Sequence, residues 1–506
     1  MECDFKKKDI SVCKTIFENF MEEKCECDVT VPDYYPAVEK IIHCKADALV
    51  TEKEISNDRL TVSGICRFSV LYMGEDGEEI RSLVDEARFS ESYSLKDIGT
   101  QAWVQTVVRT SGVSCRVMNS KKINVRATVS VAIKVKSGKT FEVVDKPNCD
   151  HIETLYEECN TYTVYGQVEE HVKVQGGIQT HTDVHAILES SGNVCIKDIK
   201  VLPGKAVLKG ILNLYVLFSP IEDPCRIENT STAIPFTQVI EIPAEYGENV
   251  NINADSAIQN IKLDVESDPE GKNRTISVST VVQTEGEIYG LGRSAFLVDV
   301  YSNRYPLNQE QTELVLEELL ESLTVEEFFQ FELESGVVEC RPIQMLGTPY
   351  IRKVSGKEDE IIVEGVLDLS VFLSADNQYR NLEKSCPFTI KKKLKHIGNG
   401  MRCEIKPCVL GMEWMVNQDK ALVKAELQCV LHVYEKKERR VIGGITVDEE
   451  HPLECAHRSS LVVYYAEKGE RVWDIARKYH TSVQQIKELN QVNAEVLNEK
   501  QLLLIS

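Results

Sequence analysis

Nowhere does the 506-residue chain run to about 18 uncharged apolar residues, so a membrane-spanning helix is excluded. Excess positive charge is missing too. The formal charge is −22, a surface that repels phosphate backbones and argues against nucleic-acid binding. The amino-terminal lysines are followed by no apolar run of signal-peptide length, so an exported chain is not expected. Cysteine is abundant, at seventeen, but scattered singly and odd in number. That points to free thiols in a reducing cytoplasm rather than a disulfide framework.

Catalytic motifs are absent as well. There is no phosphate-binding Walker loop, no Gly-x-Ser-x-Gly and no His-Glu-x-x-His, and Gly290-Leu-Gly292 lacks the third glycine of a dinucleotide fingerprint. Cys25 with Cys27, and His451 with Cys455 and His457, lack the paired spacing of a structural zinc site. His181 and His185 stand four apart in a segment, residues 178–188, that reads as a strand, where that spacing builds no metal site. The chain is therefore expected not to be an enzyme, with no catalytic or metal-binding residues and no cofactor.

What is present is a soluble-globular composition, 42% hydrophobic and 27% charged, over a length that suits three or four domains. It also carries an internal repeat. With Gly64, Gly210 and Gly365 as origins, every second position from four residues before to eight after is apolar or glycine. The first copy reads Leu60, Val62, Gly64, Cys66, Phe68, Val70 and Tyr72. The second runs from Ala206 through Leu208, Leu212, Leu214 and Val216 to Phe218, and the third from Ile361 through Val363, Leu367, Leu369 and Val371 to Leu373. Alternation of this kind predicts a long strand with one buried face. A turn-like stretch follows each copy, at residues 74–77, 219–223 and 374–377, and then a phenylalanine (Phe89, Phe236, Phe388). Polar turns beginning at Asn119, Asn273 and Asn417 open a further strand. The repeat length, about 150 residues, is too long for a solenoid, so three sequential sandwich-like domains are expected. The glycine inside each strand is read as structural, marking a bulge or a close backbone approach.

Two segments read as helices. Residues 308–329 carry seven glutamates between Glu310 and Glu327, with leucines at 316, 319, 320 and 323, which predicts a helix with an acidic solvated face linking the second and third units. At the amino terminus Ile10, Cys13, Phe17, Phe20 and Met21 allow a short amphipathic helix.

The tail differs in texture. From residue 460 onward six basic and six acidic residues cancel, so the whole negative charge sits upstream. An apolar strand, Leu461-Val-Val-Tyr-Tyr465, precedes Gly469-Glu-Arg471. A helix then presents Val472, Ile475, Ala476 and Tyr479 on one face. Ser482 and Gln485 form a capping box for a second helix with Val483, Ile486 and Leu489, and residues 502–505 close the unit as a strand. So small a unit has a small core, and Trp473 and Tyr479 are read as structural.

This tail resembles the LysM domain in its Gly469 turn, its Trp473-Asp-Ile-Ala476 helix start, Tyr479, Ile486, Asn490 and terminal Leu-Ile strand. The repeat, with Asp28-Val-Thr-Val-Pro-Asp-Tyr-Tyr-Pro36 leading into it, resembles the SPOCS-type domain of spore-associated proteins. The expected architecture is mainly β and multidomain. An amino-terminal segment (1–27) precedes SPOCS-type units at 28–150 and 151–305. The linking helix and third unit follow (306–456), then a βααβ LysM domain (460–506).

In the LysM family a shallow groove between the loops flanking the helix pair binds N-acetylglucosamine-containing glycans. Carried onto this chain, the groove maps to Gly469, Glu470, Arg471 and Val472 on one side and Asn490, Gln491, Val492, Asn493 and Leu497 on the other. Here the family's Gly-Asp-Thr loop reads Gly469-Glu-Arg471, and its Pro-Gly before the last strand reads Glu499-Lys500. A small hydroxyl has become a long cation suited to a carboxylate on a protein. The whole arrangement resembles the SipL-type, SpoIVA-interacting family of clostridial sporulation. That resemblance implies a non-enzymatic adaptor in the mother-cell cytoplasm at the forespore surface, with a SpoIVA-type coat morphogenetic ATPase as partner of the LysM groove. The alternative is a LysM protein that binds peptidoglycan or cortex glycan.

Overall fold

Period-two patterning dictates strands, and the computed structural model is built almost wholly from them. It describes residues 5–99, 101–147, 151–247, 249–268, 270–333, 340–357, 359–375, 378–394, 401–417, 420–453 and 461–505. The first unit comprises β1 (Phe5–Thr30), β2 (Val38–Ser56), β3 (Arg59–Gly74), β4 (Ile80–Ser94), β5 (Gln101–Asn119) and β6 (Lys122–Pro147). The second comprises β7 (Ile152–Gln179), β8 (Val184–Leu202), β9 (Lys205–Pro220), β10 (Glu228–Glu241), β11 (Val250–Glu266) and β12 (Thr275–Ser302). In the third are β13 (Leu307–Glu332), β14 (Arg341–Lys357), β15 (Glu360–Ala375), β16 (Gln378–Lys393), β17 (Met401–Asn417) and β18 (Lys420–Val447). Each unit has the same pairing. Its sixth strand lies between the first and fifth, and its third between the second and fourth, giving two three-stranded antiparallel sheets packed as a sandwich.

The repeated glycine and phenylalanine prove to be one device. Gly64, Gly210 and Gly365 lie in the middle strands β3, β9 and β15, directly opposite Phe89, Phe236 and Phe388. A Cβ on Gly64 would come within 2.2 Å of the Phe89 ring and 2.3 Å of the Leu49 carbonyl oxygen; at Gly210 and Gly365 it would meet the facing ring at 2.5 and 2.3 Å. The ring thus fills the missing side chain's place, an arrangement that pins register. The alternating residues of all three copies are buried.

Neither expected helix forms. The amino-terminal residues from Phe5 belong to β1, and the acidic segment 308–329 belongs to β13. Both are first strands paired along their length with sixth strands, so tertiary pairing overrides local propensity. A bulge explains the misleading pattern. The register shifts between Thr15 and Phe17 in β1 and between Leu319 and Glu321 in β13, and β7 skips Tyr165 at the corresponding place. One inserted residue breaks the alternation, so apolar positions fall at mixed spacings that imitate a helix. Two of the β13 glutamates turn inward onto bases, Glu317 meeting Arg402 at 2.8 Å and Glu318 meeting Lys437 at 2.6 Å, while Glu313 meets Arg440 at 3.2 Å in the open. The stretch 178–188 is likewise not one strand, because β7 ends at Gln179 and β8 begins at Val184.

The three units close into a ring. β4 touches β8, β10 touches β14 and β16 touches β2, so the fourth strand of each unit meets the second strand of the next. The sixth strands β6, β12 and β18 also touch one another, as do the first strands β1, β7 and β13. Leu71, Leu217 and Phe372 occupy the same place in the repeat and share one apolar cluster contributed by all three units. Opposite them in register stand His43, Glu189 and Gln344, all buried.

Charge is buried where the sixth strands meet. Lys136 Nζ of the first unit donates to both carboxylate oxygens of Glu287 in the second, at 3.0 and 3.1 Å, and lies 3.3 Å from Glu404 of the third. Tyr162 OH donates to Glu287 at 2.8 Å, and the Arg402 guanidinium stacks over Tyr434 at 4.6 Å. Burial opposes ionisation of Glu404, but Lys136 and Arg402 overcome it and hold the carboxyl down to about 2.

The free-thiol expectation needs one correction. Cys195 of β8 and Cys408 of β17 form a disulfide between the second and third units, brought together across 213 residues by ring closure. Eleven other described cysteines, among them Cys13, Cys25, Cys66, Cys386 and Cys429, are free.

Two predictions follow from this packing. Gly64→Ala should lower unfolding free energy by about 2 kcal/mol in urea titration, because neither the Phe89 ring nor the Leu49 carbonyl can yield fully. The second concerns Glu189, whose carboxyl is pushed by burial, against the pull of Lys45, up to about 7; the neighbouring His43 imidazole, 3.7 Å away, is driven by burial down to about 4. A raised carboxyl contributes stability at low pH that is lost as pH rises through about 7. Glu189→Gln should therefore stabilise the chain by about 2 kcal/mol above that pH and change little below 4.5, as read by thermal unfolding at several pH values.

Candidate partner-binding module

The tail folds as β19 (Val462–Ala466), α1 (Val472–Lys478), α2 (Val483–Asn490) and β20 (Gln501–Ile505), with β19 and β20 antiparallel. The capping box is present, with the Ser482 hydroxyl accepting from Gln485 N–H at 3.0 Å. Val472, Ile475, Ala476, Ile486, Leu497, Leu503 and Ile505 form the core.

The nine groove residues divide by role. Gly469 has φ +94, a backbone suited to glycine. Its N–H donates to Leu497 O at 2.8 Å, Leu497 N–H returns to Glu470 O at 2.9 Å, and Val472 N–H reaches Glu495 O at 2.9 Å, zipping the two loops together. Val472 and Leu497 are buried, so they belong to the core. Glu470 accepts from Tyr464 OH at 3.0 Å and from Glu467 N–H at 2.8 Å. The Asn490 side chain spans from α2 to β20, accepting from Leu504 N–H at 2.6 Å and donating to Leu504 O at 2.7 Å. These five build the groove. Arg471, Gln491 and Asn493 are exposed, with Val492 half-buried beside them. Arg471 is held by a two-point pair to Asp474, Nε at 2.8 Å and Nη2 at 2.9 Å, which fixes its guanidinium at the start of α1.

A docking contact was not legible in the sequence. Asp299 near the end of β12 accepts from Trp473 Nε1 at 2.8 Å and from Arg477 Nη1 at 2.7 Å. Tyr301 packs edge-on against Trp473, with ring centroids 4.9 Å apart, and donates to Thr481 O at 2.7 Å. Trp473 is thus structural as expected, but it serves an interface as well as a core. The helix side of the module is seated on the second unit, and the groove residues Arg471, Gln491 and Asn493 stay open.

The opposite side carries an exposed apolar face of Val463, Tyr465 and Leu502. Uninterrupted apolar runs in both strands were its visible signal, since strands read this way when both faces are covered.

Among the described residues no cluster of three or more His, Cys, Asp or Glu side chains is arranged to hold a metal. His185 pairs with Glu79 of the first unit at 2.6 Å and His451 with Asp448 at 3.0 Å, while Cys455 and His457 lie outside the described residues. No helix among the described residues is long and apolar enough to cross a membrane.

Two family models match the chain's sequence. Residues 37–118 and 183–266 match the SipL SPOCS domain, and residues 464–506 match the LysM domain. The chain carries SipL-type SPOCS domains and a LysM domain. The two SPOCS matches cover β2 to β5 of the first unit and β8 to β11 of the second, and the third unit repeats the same strand pairing. No curated protein and no solved structure matches the chain. The SPOCS domains mark a sporulation protein, and its tail is a domain of the peptidoglycan-binding type.

The docking contact yields a test. Asp299→Ala removes the acceptor shared by Trp473 and Arg477, weakening the seat by roughly 2 kcal/mol. Trp473 emission, isolated by subtracting a Trp473→Phe reference, should shift to the red; an unchanged spectrum means the module stays seated without Asp299.

Proposed function

We propose that this chain is a non-enzymatic morphogenetic adaptor of the spore coat, working in the mother-cell cytoplasm at the forespore surface. Its LysM groove binds a SpoIVA-type coat ATPase, and the SPOCS ring helps tether coat to the forespore. The observation that carries the reading is SipL-type SPOCS units joined in one chain to a LysM groove whose outward residues are Arg471, Gln491 and Asn493. A guanidinium fixed at the groove mouth suits a carboxylate on a protein surface better than an uncharged sugar. The ring's buried charges are consumed in pairs between units, which fits a scaffold better than a reaction centre.

The second reading, binding of peptidoglycan or cortex glycan, is favoured by the LysM match itself. One pair of assays separates the two. Arg471→Glu sets like charge beside Asp474 and should reduce co-purification with the ATPase about tenfold while the far-ultraviolet spectrum and melting stay unchanged. Wild-type chain should fail to sediment with purified peptidoglycan. Retention on peptidoglycan that the substitution abolishes, with ATPase binding untouched, would establish the glycan reading instead.

A further inference from the structure

Each junction of the ring is closed by equivalent strands, which makes the differences between junctions informative. Cys195 lies opposite Ile211, the residue after the repeat glycine Gly210, and Tyr350 lies opposite Val366, the residue after Gly365. The two therefore hold the same place in their units. Their partners correspond as well: Cys408 pairs in register with Gln428 and Arg109 with Ser130, each the ninth residue of its sixth strand. Between the third and first units the contact is a guanidinium stack, Arg109 over the Tyr350 ring at 4.1 Å. Between the second and third units the same spot holds two sulfurs. Beside them Asn193 Nδ2 donates to Val409 O at 2.8 Å, so this junction also has a contact that needs no covalent bond.

We propose that Cys195 and Cys408 form a reversible redox clasp that locks the second unit to the third. Cys195 is fully buried, whereas Cys408 is only partly buried and is the entry point. With a small disulfide such as oxidised glutathione, the Cys408 thiolate attacks one sulfur, forming a mixed disulfide and expelling one glutathione thiolate. The Cys195 thiolate then attacks the Cys408 sulfur and expels the second. Two protein thiols become one disulfide, two electrons pass to the oxidant, and the two protons end on the released thiols. Reduced glutathione drives the reverse. Because the bond spans 213 residues, it constrains a very large loop of the unfolded chain and stabilises the closed ring. A junction that also closes without the bond suits a clasp that opens in a reducing compartment better than a permanent staple.

The experiment uses the full chain equilibrated with reduced or oxidised glutathione, followed by peptide mapping under non-reducing conditions and thermal unfolding. Oxidation should link the peptides containing Cys195 and Cys408 and raise the melting temperature by roughly 5 °C. Cys408→Ser, at the less buried of the two positions, should melt like the reduced wild type in both buffers. The proposal is overturned if the two residues stay unlinked in oxidised glutathione, or if other cysteines link while these remain thiols. A redox-dependent melting shift that persists in Cys408→Ser also overturns it. The wild-type peptide map decides the pairing even if the variant does not fold.

Discussion

Glu287 of the second unit is wholly buried, and its compensating cation, Lys136, is on the first unit; Lys136 in turn also faces Glu404 of the third. A carboxylate stripped of water is tolerated only with a close, hydrogen-bonded counter-charge, so removing the first unit strands Glu287, and removing the second or third takes from Lys136 one of the two carboxylates that hold it. Three sandwiches that pair their strands independently are thereby made electrostatically interdependent. The apolar cluster of Leu71, Leu217 and Phe372, on the third strands, adds a non-directional attraction between the units, while the charges where the sixth strands meet specify how the units face one another.

The repeat shows how far local pattern reaches. The alternation around Gly64, Gly210 and Gly365 and the later phenylalanines were legible because β3, β9 and β15 are central strands with strictly alternating buried sides. The pairing of each glycine with its phenylalanine explains why both landmarks recur. First strands were opaque for an equally local reason: a bulge at Ile16, Tyr165 or Leu320 inserts one residue and destroys the period. Ring closure left no periodic trace at all, since Lys136, Glu287 and Glu404 become partners only through tertiary packing. The cysteines misled because a single distant pair looks like scatter until two units meet.

In the tail, the elements and capping box were readable from spacing alone, but the roles of the groove residues were not. Asn490 and Glu470 look like ligand-facing polar residues in a sequence; in three dimensions they tie strand to helix and loop to strand. Arg471 looked like a free cation and is instead aimed by Asp474. The seat on Asp299 and Tyr301 joins the neutral module to the acidic ring through one carboxylate and one ring, fixing which side of the module faces outward. For an adaptor that orientation matters, because a head on a rigid body presents its groove in a fixed direction and loses less freedom on binding than a tethered one.

The interdependence of the three units is the claim on which this description of a rigid scaffold rests. Differential scanning calorimetry of the full chain under reducing conditions, where the Cys195–Cys408 bond cannot help, tests it most directly. A shared buried charge network predicts that the three sandwiches melt in a single cooperative transition whose calorimetric and van't Hoff enthalpies agree. Three separate transitions, each with the enthalpy of a single sandwich, would contradict it.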